Sequence, residues 1–254
     1  MQKKQRILLK IGSNTLTKET DSISREKIED IANQIAKLKD SCDFVIVSSG
    51  AIAVAKQLVK LESKQSAVFV KQALASIGQP HLIRIYQEIF REKGLLTSQC
   101  LLSYSDFEKQ ESKTNIVNTI NVLVNNNYIP IINENDTVAT DEIKFGDNDK
   151  LAALTATLLD VDLLIIATNT NGIYTKESIE KNAPKTIKEI TDFEVLKKEV
   201  VHTKSSHGSG GMASKIEAAE LSKNANIETW IVNGLEDNFI INAFKQKVPF
   251  TKIK

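Results

Sequence analysis

Phe44-Val45-Ile46-Val47-Ser48-Ser49-Gly50-Ala51 is apolar at four consecutive positions, then turns small and polar before a helix-forming stretch from Ala51 to Leu61. A strand that is apolar on both faces needs cover on both faces, the condition of a parallel sheet held between helices. Leu163-Leu164-Ile165-Ile166-Ala167 repeats the pattern and again runs into polar residues, Thr168-Asn169-Thr170-Asn171-Gly172. Outward from these two, Ile7 to Ile11 reads as a first strand ending at Gly12, with further strands at Leu95 to Leu102, Tyr128 to Ile132 and Glu228 to Val232.

Helical segments fall between them. Ser24 to Lys39 places Ile28, Ile31, Ile35 and Leu38 at spacings of three and four behind Ser24 as N-cap. A long helical region is expected from about Ser66 to Lys93, with a break at Gly78-Gln79-Pro80 left open. Capping boxes are read at Ser105 to Glu108 and at Thr191 to Glu194. Further helices are expected at Ile116 to Val124, Leu151 to Leu159, from the Gly-rich turn at Gly208 to about Ala225, and near Glu236 to Phe244. The β-α alternation predicts an α/β fold, an open, mainly parallel sheet with helices on both sides; over residues 1–254 the length fits one large domain or two small lobes, and a single domain is expected. Thr140 to Asp147 and Thr175 to Gly208 read as loops or hairpins, the second long enough for a lid or a nucleotide-binding insertion.

At 254 residues and 41% hydrophobic, the chain can bury a large core without disulfides or structural metal. Lys+Arg 33 against Asp+Glu 32 leaves a net charge of +1, which sets aside nucleic acid or an anionic membrane as the main partner. Cys42 and Cys100 lie in apolar runs and read as two buried free thiols. The polar start from Met1 to Arg6 carries no signal-peptide pattern, and no apolar run approaches the roughly 18 residues of a membrane span. A cytoplasmic protein is expected.

In an open parallel sheet, ligands gather beyond the carboxyl ends of the strands. Five of the strands end there in small or polar residues: Lys10 to Asn14, Ser48 to Ala51, Asn133 to Asp136, Thr168 to Gly172, and Asn233-Gly234. Lys10 reads either as a lysine snorkelling from an edge strand or as a cation over a phosphate, with Gly12 and Ser13 beside it. Ser49-Gly50-Ala51 reads either as a plain strand-to-helix turn or as a set of helix N-terminal N–H groups for an anion. Asn133-Glu134-Asn135-Asp136 and Asp147-Asn148-Asp149 are solvated loops, a metal cage (the weaker reading, since Mg²⁺ in phosphoryl-transfer sites takes few protein oxygens), or groups that accept an ammonium group and orient lysines. Gly208-Ser209-Gly210-Gly211-Met212-Ala213-Ser214-Lys215 is either a flexible linker or a phosphate cradle opening a helix. Lys215 near a helix N-terminus opposes the dipole, and a compensating anion would account for it. His81, His202 and His207 have no metal-ligand spacing, so no metal ligands are assigned. Neither G-x-x-x-x-G-K-[ST] nor a G-x-G-x-x-G after the first strand is present.

Taken in order, Lys10-Ile11-Gly12-Ser13, Ser49-Gly50-Ala51-Ile52-Ala53, Pro130 to Asp136, Phe145-Gly146-Asp147-Asn148-Asp149 and Gly208 to Lys215 resemble the motifs of the glutamate 5-kinases of the amino acid kinase family. The resemblance spans nearly the whole chain. It implies a three-layer αβα sandwich whose part up to about residue 165 binds the amino acid and whose part from about 166 to 254 binds ATP. It also implies ATP-dependent phosphorylation of the γ-carboxylate of L-glutamate, with Mg²⁺ accompanying ATP, as the first step of proline biosynthesis.

Carried over by motif, Lys10 and Lys215 resemble the cations that neutralise the transferring phosphoryl group, and Asp149 the carboxylate that holds them. Ser49, Gly50, Ala51, Asp136, Asp147 and Asn148 resemble the glutamate site. Lys10, Gly12, Ser13, Thr168, Asn169, Ser209, Gly210, Gly211, Met212, Ala213, Ser214 and Lys215 resemble the nucleotide site. Many relatives have Asp where this chain has Asn169, and many carry a C-terminal PUA domain, whereas this chain stops at Lys254. A homo-oligomer, dimer or tetramer, and feedback by proline are implied by the same resemblance. The alternatives are a carbamate, N-acetylglutamate, aspartate or uridylate kinase, or a non-catalytic sensor of amino acid or nucleotide.

Overall fold

A computed structural model describes residues 3–20, 22–61, 66–139, 148–194, 196 and 211–254. Along the described chain the strands are β1 (Gln5–Ile11), β2 (Cys42–Ser48), β3 (Leu96–Leu102), β4 (Tyr128–Glu134), β5 (Leu163–Thr168), β6 (Glu189–Ile190), β7 (Glu228–Asn233) and β8 (Thr251–Ile253). The helices are α1 (Ser13–Thr17), α2 (Arg25–Leu38), α3 (Ala51–Leu58), α4 (Ala67–Glu92), α5 (Gln110–Asn125), α6 (Asp149–Leu159), α7 (Lys176–Glu180), α8 (Met212–Asn224) and α9 (Phe239–Phe244). The strands form one sheet in the order β3-β4-β2-β1-β5-β7-β8-β6. β1 to β5 and β7 run parallel; β8 lies antiparallel to β7 and pairs in parallel with β6. β6 and β8 have two and three residues, too few for a hydrophobic period to mark them in sequence.

The pleat of β1 divides the core. Ile7, Leu9 and Ile11 join a cluster built with Ile28, Ile31 and Ile35 of α2, Leu82, Tyr86 and Phe90 of α4, and Phe239 and Ile240 of α9. Leu8 points the other way, into a cluster with Ile116 and Ile120 of α5, Leu151 and Ala152 of α6, and Ile216 and Ala219 of α8. The result is an αβα sandwich with a mostly parallel sheet. Lys10 has the parity of Leu8 and so belongs to the α6/α8 face. β2 lies on one side of β1 and β5 on the other, which makes the carboxyl ends of these central strands the point where the strand order reverses.

Ser24 caps α2 as expected, its hydroxyl accepting from Lys27 N–H at 3.1 Å. The box expected at Ser105 forms instead on Ser103 and Asp106, at the first residue off β3, around a 3₁₀ turn over Tyr104–Phe107. At Thr191, Glu194 N–H goes instead to Asp192 Oδ1, at 2.8 Å. Within the expected insertion after Thr175, the described residues form α7, a bridge between Tyr174 and Thr186, and β6. Residues 140–147 and 197–208 lie outside the described residues. Cys42 is buried, but Cys100 is only half-buried on edge strand β3, so the expectation of two buried thiols holds for one. Among the described residues no helix is long and apolar enough to cross a membrane.

The break considered at Gly78-Gln79-Pro80 does not occur: α4 runs unbroken through Pro80. Pro80 removes one helical hydrogen bond, but Leu74, Ala75, Leu82 and Ile83 are buried on either side of it and hold both halves to the core. Gly78 serves a different purpose. A Cβ there would stand 1.8 Å from the carbonyl oxygen of Ala51, so the glycine lets α4 press its backbone onto the first turn of α3. Gly78→Ala is therefore expected to destabilise the protein by about 3 kcal/mol despite alanine's better helix propensity, read as a lowered urea midpoint at unchanged m-value.

Candidate active site

Lys10 is the one charge in β1's buried run, and on its side of the sheet it meets the N-terminus of α6. Its ammonium lies 2.5 Å from Oδ1 of Asp149, the first residue of that helix. Lys215, in the opening turns of α8, lies 3.0 Å from the other oxygen, Oδ2. Ser214 Oγ–H donates to the same Oδ2 at 2.8 Å. All three charged side chains are buried, Asp149 completely. Burial opposes ionisation of Asp149, but the ammonium groups of Lys10 and Lys215 outweigh it and hold the carboxyl well below the usual carboxylate range. Asp149 is also the anion that lets a lysine sit at the positive end of α8. Two cations on one anion leave an excess positive charge at the carboxyl edge of the sheet.

Beside this cluster lies a second set, of amides, a hydroxyl and one carboxyl group. Asn148, the residue before α6, donates from Nδ2 to Ser48 C=O at 2.9 Å, Ser49 Oγ at 3.2 Å and Asn133 Oδ1 at 2.7 Å. Ser49 follows β2 and donates its N–H to Ile11 C=O at 3.1 Å, which ties the ends of β1 and β2 together. Gly50, at φ +109°, turns the chain into α3 in a conformation that side-chain-bearing residues avoid, and Ala51 begins the helix. Asp136, just past β4, is buried, and burial pushes its carboxyl up to about 6. Its Oδ1 and the Oδ1 of Asn148 have no hydrogen-bond partner among the described residues. Buried acceptors without donors are costly, and a cationic or N–H-bearing ligand would relieve both.

On the other side of Lys10, Gly12 caps α1 and Ser13 begins it, while Thr168 ends β5 and accepts Gly234 N–H on its carbonyl at 2.7 Å. Asn169 donates from Nδ2 to Glu19 Oε1 at 2.8 Å. An aspartate at 169 would face Glu19 with like charge, so the amide suits this chain's own neighbour. Lys18 and Glu19 both adopt left-handed φ, 47° and 61°, in the turn that brings Glu19 there. Gly211 caps α8, and Met212 and Ala213 form its first turn ahead of Ser214. Asp147, Ser209 and Gly210 lie outside the described residues. Sequence reasoning passed over Glu19, Gln79 and Tyr86, and named Ser48 and Asn133 only as parts of polar strand ends. Ser48 Oγ and Tyr86 OH share a buried hydrogen bond at 3.0 Å, and Asn133 Nδ2 donates to Gln79 Oε1 at 2.8 Å. Gln79 and Tyr86 gave a weak signal: a polar residue on a buried helical face shows only once the helix has been docked.

The model of the amino acid kinase family matches residues 5–233. A glutamate 5-kinase from Thermoanaerobacter sp. is 40% identical over 254 residues, covering 98% of this chain and 68% of its own length. One from Alkaliphilus metalliredigens is 39% identical over 246 residues, covering 96% of this chain and 93% of its own length. Among solved structures, a carbamate kinase from Giardia lamblia bound to AMP-PNP shares the fold, with a TM-score of 0.69 over 100% of this chain and 99% of that one at 18% identity.

Two outcomes follow from the buried charges. Asp149→Ala strands two ammonium groups in the interior and is expected to cost about 3–5 kcal/mol of stability, measurable by urea unfolding at pH 7. Asp136 behaves oppositely. Its folded-state pKa is raised, so its favourable contribution to stability exists at pH 4 and is lost as pH rises through about 6. Asp136→Asn should therefore melt higher than the unsubstituted protein at pH 7.5 and no higher at pH 4, by calorimetry.

Proposed function

The chain belongs to the amino acid kinase family, and on that premise we propose that it transfers the γ-phosphoryl group of ATP to the side-chain carboxylate of L-glutamate, giving L-glutamyl 5-phosphate and ADP. The observation that carries this reading is the convergence of Lys10 and Lys215 on Asp149 at the carboxyl edge of the sheet. The names of the curated relatives support glutamate as the acceptor. The site geometry supports an anionic group meeting two cations and an amine meeting Asp136 and Asn148.

In this reaction a γ-carboxylate oxygen of glutamate attacks the γ-phosphorus in line. The new O–P bond forms as the bond to the bridging oxygen of ADP breaks, and the electron pair leaves with ADP. The attacking carboxylate is already ionised at neutral pH, so no proton has to be removed from it. What the chain supplies is alignment and charge neutralisation. Lys10 and Lys215 face the phosphoryl oxygens, and Asp149 holds the two ammonium groups a fixed distance apart without cancelling both. Ser49, Gly50, Ala51, Asp136, Asp147 and Asn148 hold glutamate, Asp136 and Asn148 receiving its ammonium group. Gly12, Ser13, Thr168, Asn169 and the segment Ser209 to Lys215 hold the nucleotide. On this division about residues 1–165 serve the amino acid and about residues 166–254 serve ATP.

Among the described residues no three His, Cys, Asp or Glu side chains gather as a metal cage, and Asp149 is already engaged by two lysines. The residues fit a Mg²⁺ ion carried on the nucleotide's own phosphates, where it would neutralise phosphate charge. Action in the cytoplasm, a homo-oligomeric working form and feedback by proline belong to the same proposal.

Incubation with ATP, Mg²⁺, L-glutamate and hydroxylamine tests the reading, because an acyl phosphate is trapped as γ-glutamyl hydroxamate. Absence of the hydroxamate, with product formed from carbamate or another acceptor, would overturn the substrate assignment. Lys10→Ala and Lys215→Ala are each expected to lower kcat on the order of hundreds-fold. Near-normal turnover in either variant would remove that lysine from the transition state.

A further inference from the structure

Asn148 stands at the end of a chain of buried side-chain amides that begins on the opposite face of the sheet. Gln79, on α4, accepts from Asn133 Nδ2 at 2.8 Å. Asn133 Oδ1 in turn accepts from Asn148 Nδ2 at 2.7 Å and from Glu134 N–H at 2.9 Å. Gln79, Asn133 and Asn148 are all buried. Two backbone groups of fixed polarity decide which way these amides face. Glu134 N–H requires an oxygen from Asn133, and Ser48 C=O requires a nitrogen from Asn148. Both Asn148 amide hydrogens are thereby directed into the protein, and its Oδ1 is left as an acceptor with no partner among the described residues. The backbone groups set polarity, whereas the place of Asn133 depends on its remaining hydrogen bond, to Gln79. Gln79 itself is placed by the residue before it, since Gly78 seats α4 directly on the carbonyl of Ala51.

We propose that Gln79 is a positioning residue for the amino-acid substrate. By fixing Asn133 it holds Asn148 Oδ1 where it receives the substrate's α-ammonium group, and so contributes to preference for an amine-bearing dicarboxylate over one without the amine. This rests on the glutamate kinase reading above. Gln79 touches neither substrate nor nucleotide; it acts through two intervening amides. A buried glutamine on a helix face that otherwise carries Leu82, Tyr86 and Phe90 is costly unless its amide is used. The chain to Asn148 is that use.

The test compares KM and kcat for L-glutamate, for glutarate (the same dicarboxylate without the amine) and for ATP. Gln79→Met keeps the volume and removes the acceptor. It is expected to raise the KM for glutamate about tenfold and to lower the preference for glutamate over glutarate to a similar degree, with the KM for ATP and kcat changed less than about twofold. Gln79→Glu, which keeps an oxygen facing Asn133, recovers most of the loss. Asn133→Ala shows the same pattern, and adding Gln79→Met to it costs nothing further, because the link is already cut. An equal rise in the KM for ATP, an unchanged preference for glutamate over glutarate, or additive effects in the double variant would overturn the proposal. Should Gln79→Met fail to fold, an unchanged preference in Asn133→Ala overturns it equally. Absence of glutamate-dependent ADP release in the unsubstituted chain would instead remove the functional reading, and this inference with it.

Discussion

A carboxylate with no access to water, held between two ammonium groups, is the constraint around which the rest of the site is arranged. Removing Asp149, Lys10 and Lys215 from water costs several kcal/mol per ion, and only close, well-directed contacts recover it. Each of the three comes from a different element, β1, α6 and α8, on one face of the sheet. A shift of one residue in the register of β1 would turn Lys10 toward the other face, among Ile28, Leu82 and Phe239, where no carboxylate of α6 could reach it. The ion cluster therefore demands a particular register from the sheet while drawing part of its own stability from it. Because two cations share one anion, the cluster also stays positive overall, which suits it to an anion that arrives and leaves.

The opposite face contributes by a different kind of contact. α4 crosses α3 closely enough that only the absence of a side chain at Gly78 permits it. From there Gln79 and Tyr86 reach the ends of β4 and β2 with single hydrogen bonds. These bonds carry no charge, but they set the polarity and position of groups that face the rim. The charged cluster on one side and the amide chain on the other meet at the adjacent residues Asn148 and Asp149. The start of α6 thus joins what could act on a phosphate to what could recognise an amino acid.

Asn169 shows how a neighbour decides what suits a rim position. With Glu19 facing it from a turn of two left-handed residues, an amide donates where a second carboxylate would repel. Glu19 and Asn169 therefore act as one hydrogen-bonded unit.

Much of the architecture was legible in the chain because its signals are local. Runs such as Phe44 to Val47 and Leu163 to Ala167, apolar on both faces, require a covered parallel sheet, and the spacing of Ile28, Ile31 and Ile35 requires a helix with one buried face. The recurrence of small and polar residues after these strands pointed to the rim where Lys10, Asn148, Asp149 and Lys215 are found together. Three-residue β8, the displaced capping box at Ser103 and the continuity of α4 through Pro80 were not legible, since each is decided by contacts with residues distant in sequence. Which oxygen of Asp149 each lysine takes, that Gly78 marks a helix crossing rather than a helix break, and that Gln79 reaches Asn148 through Asn133 are facts of tertiary structure alone. Periodicity records which face of an element is buried, but not which side chain will stand across from it.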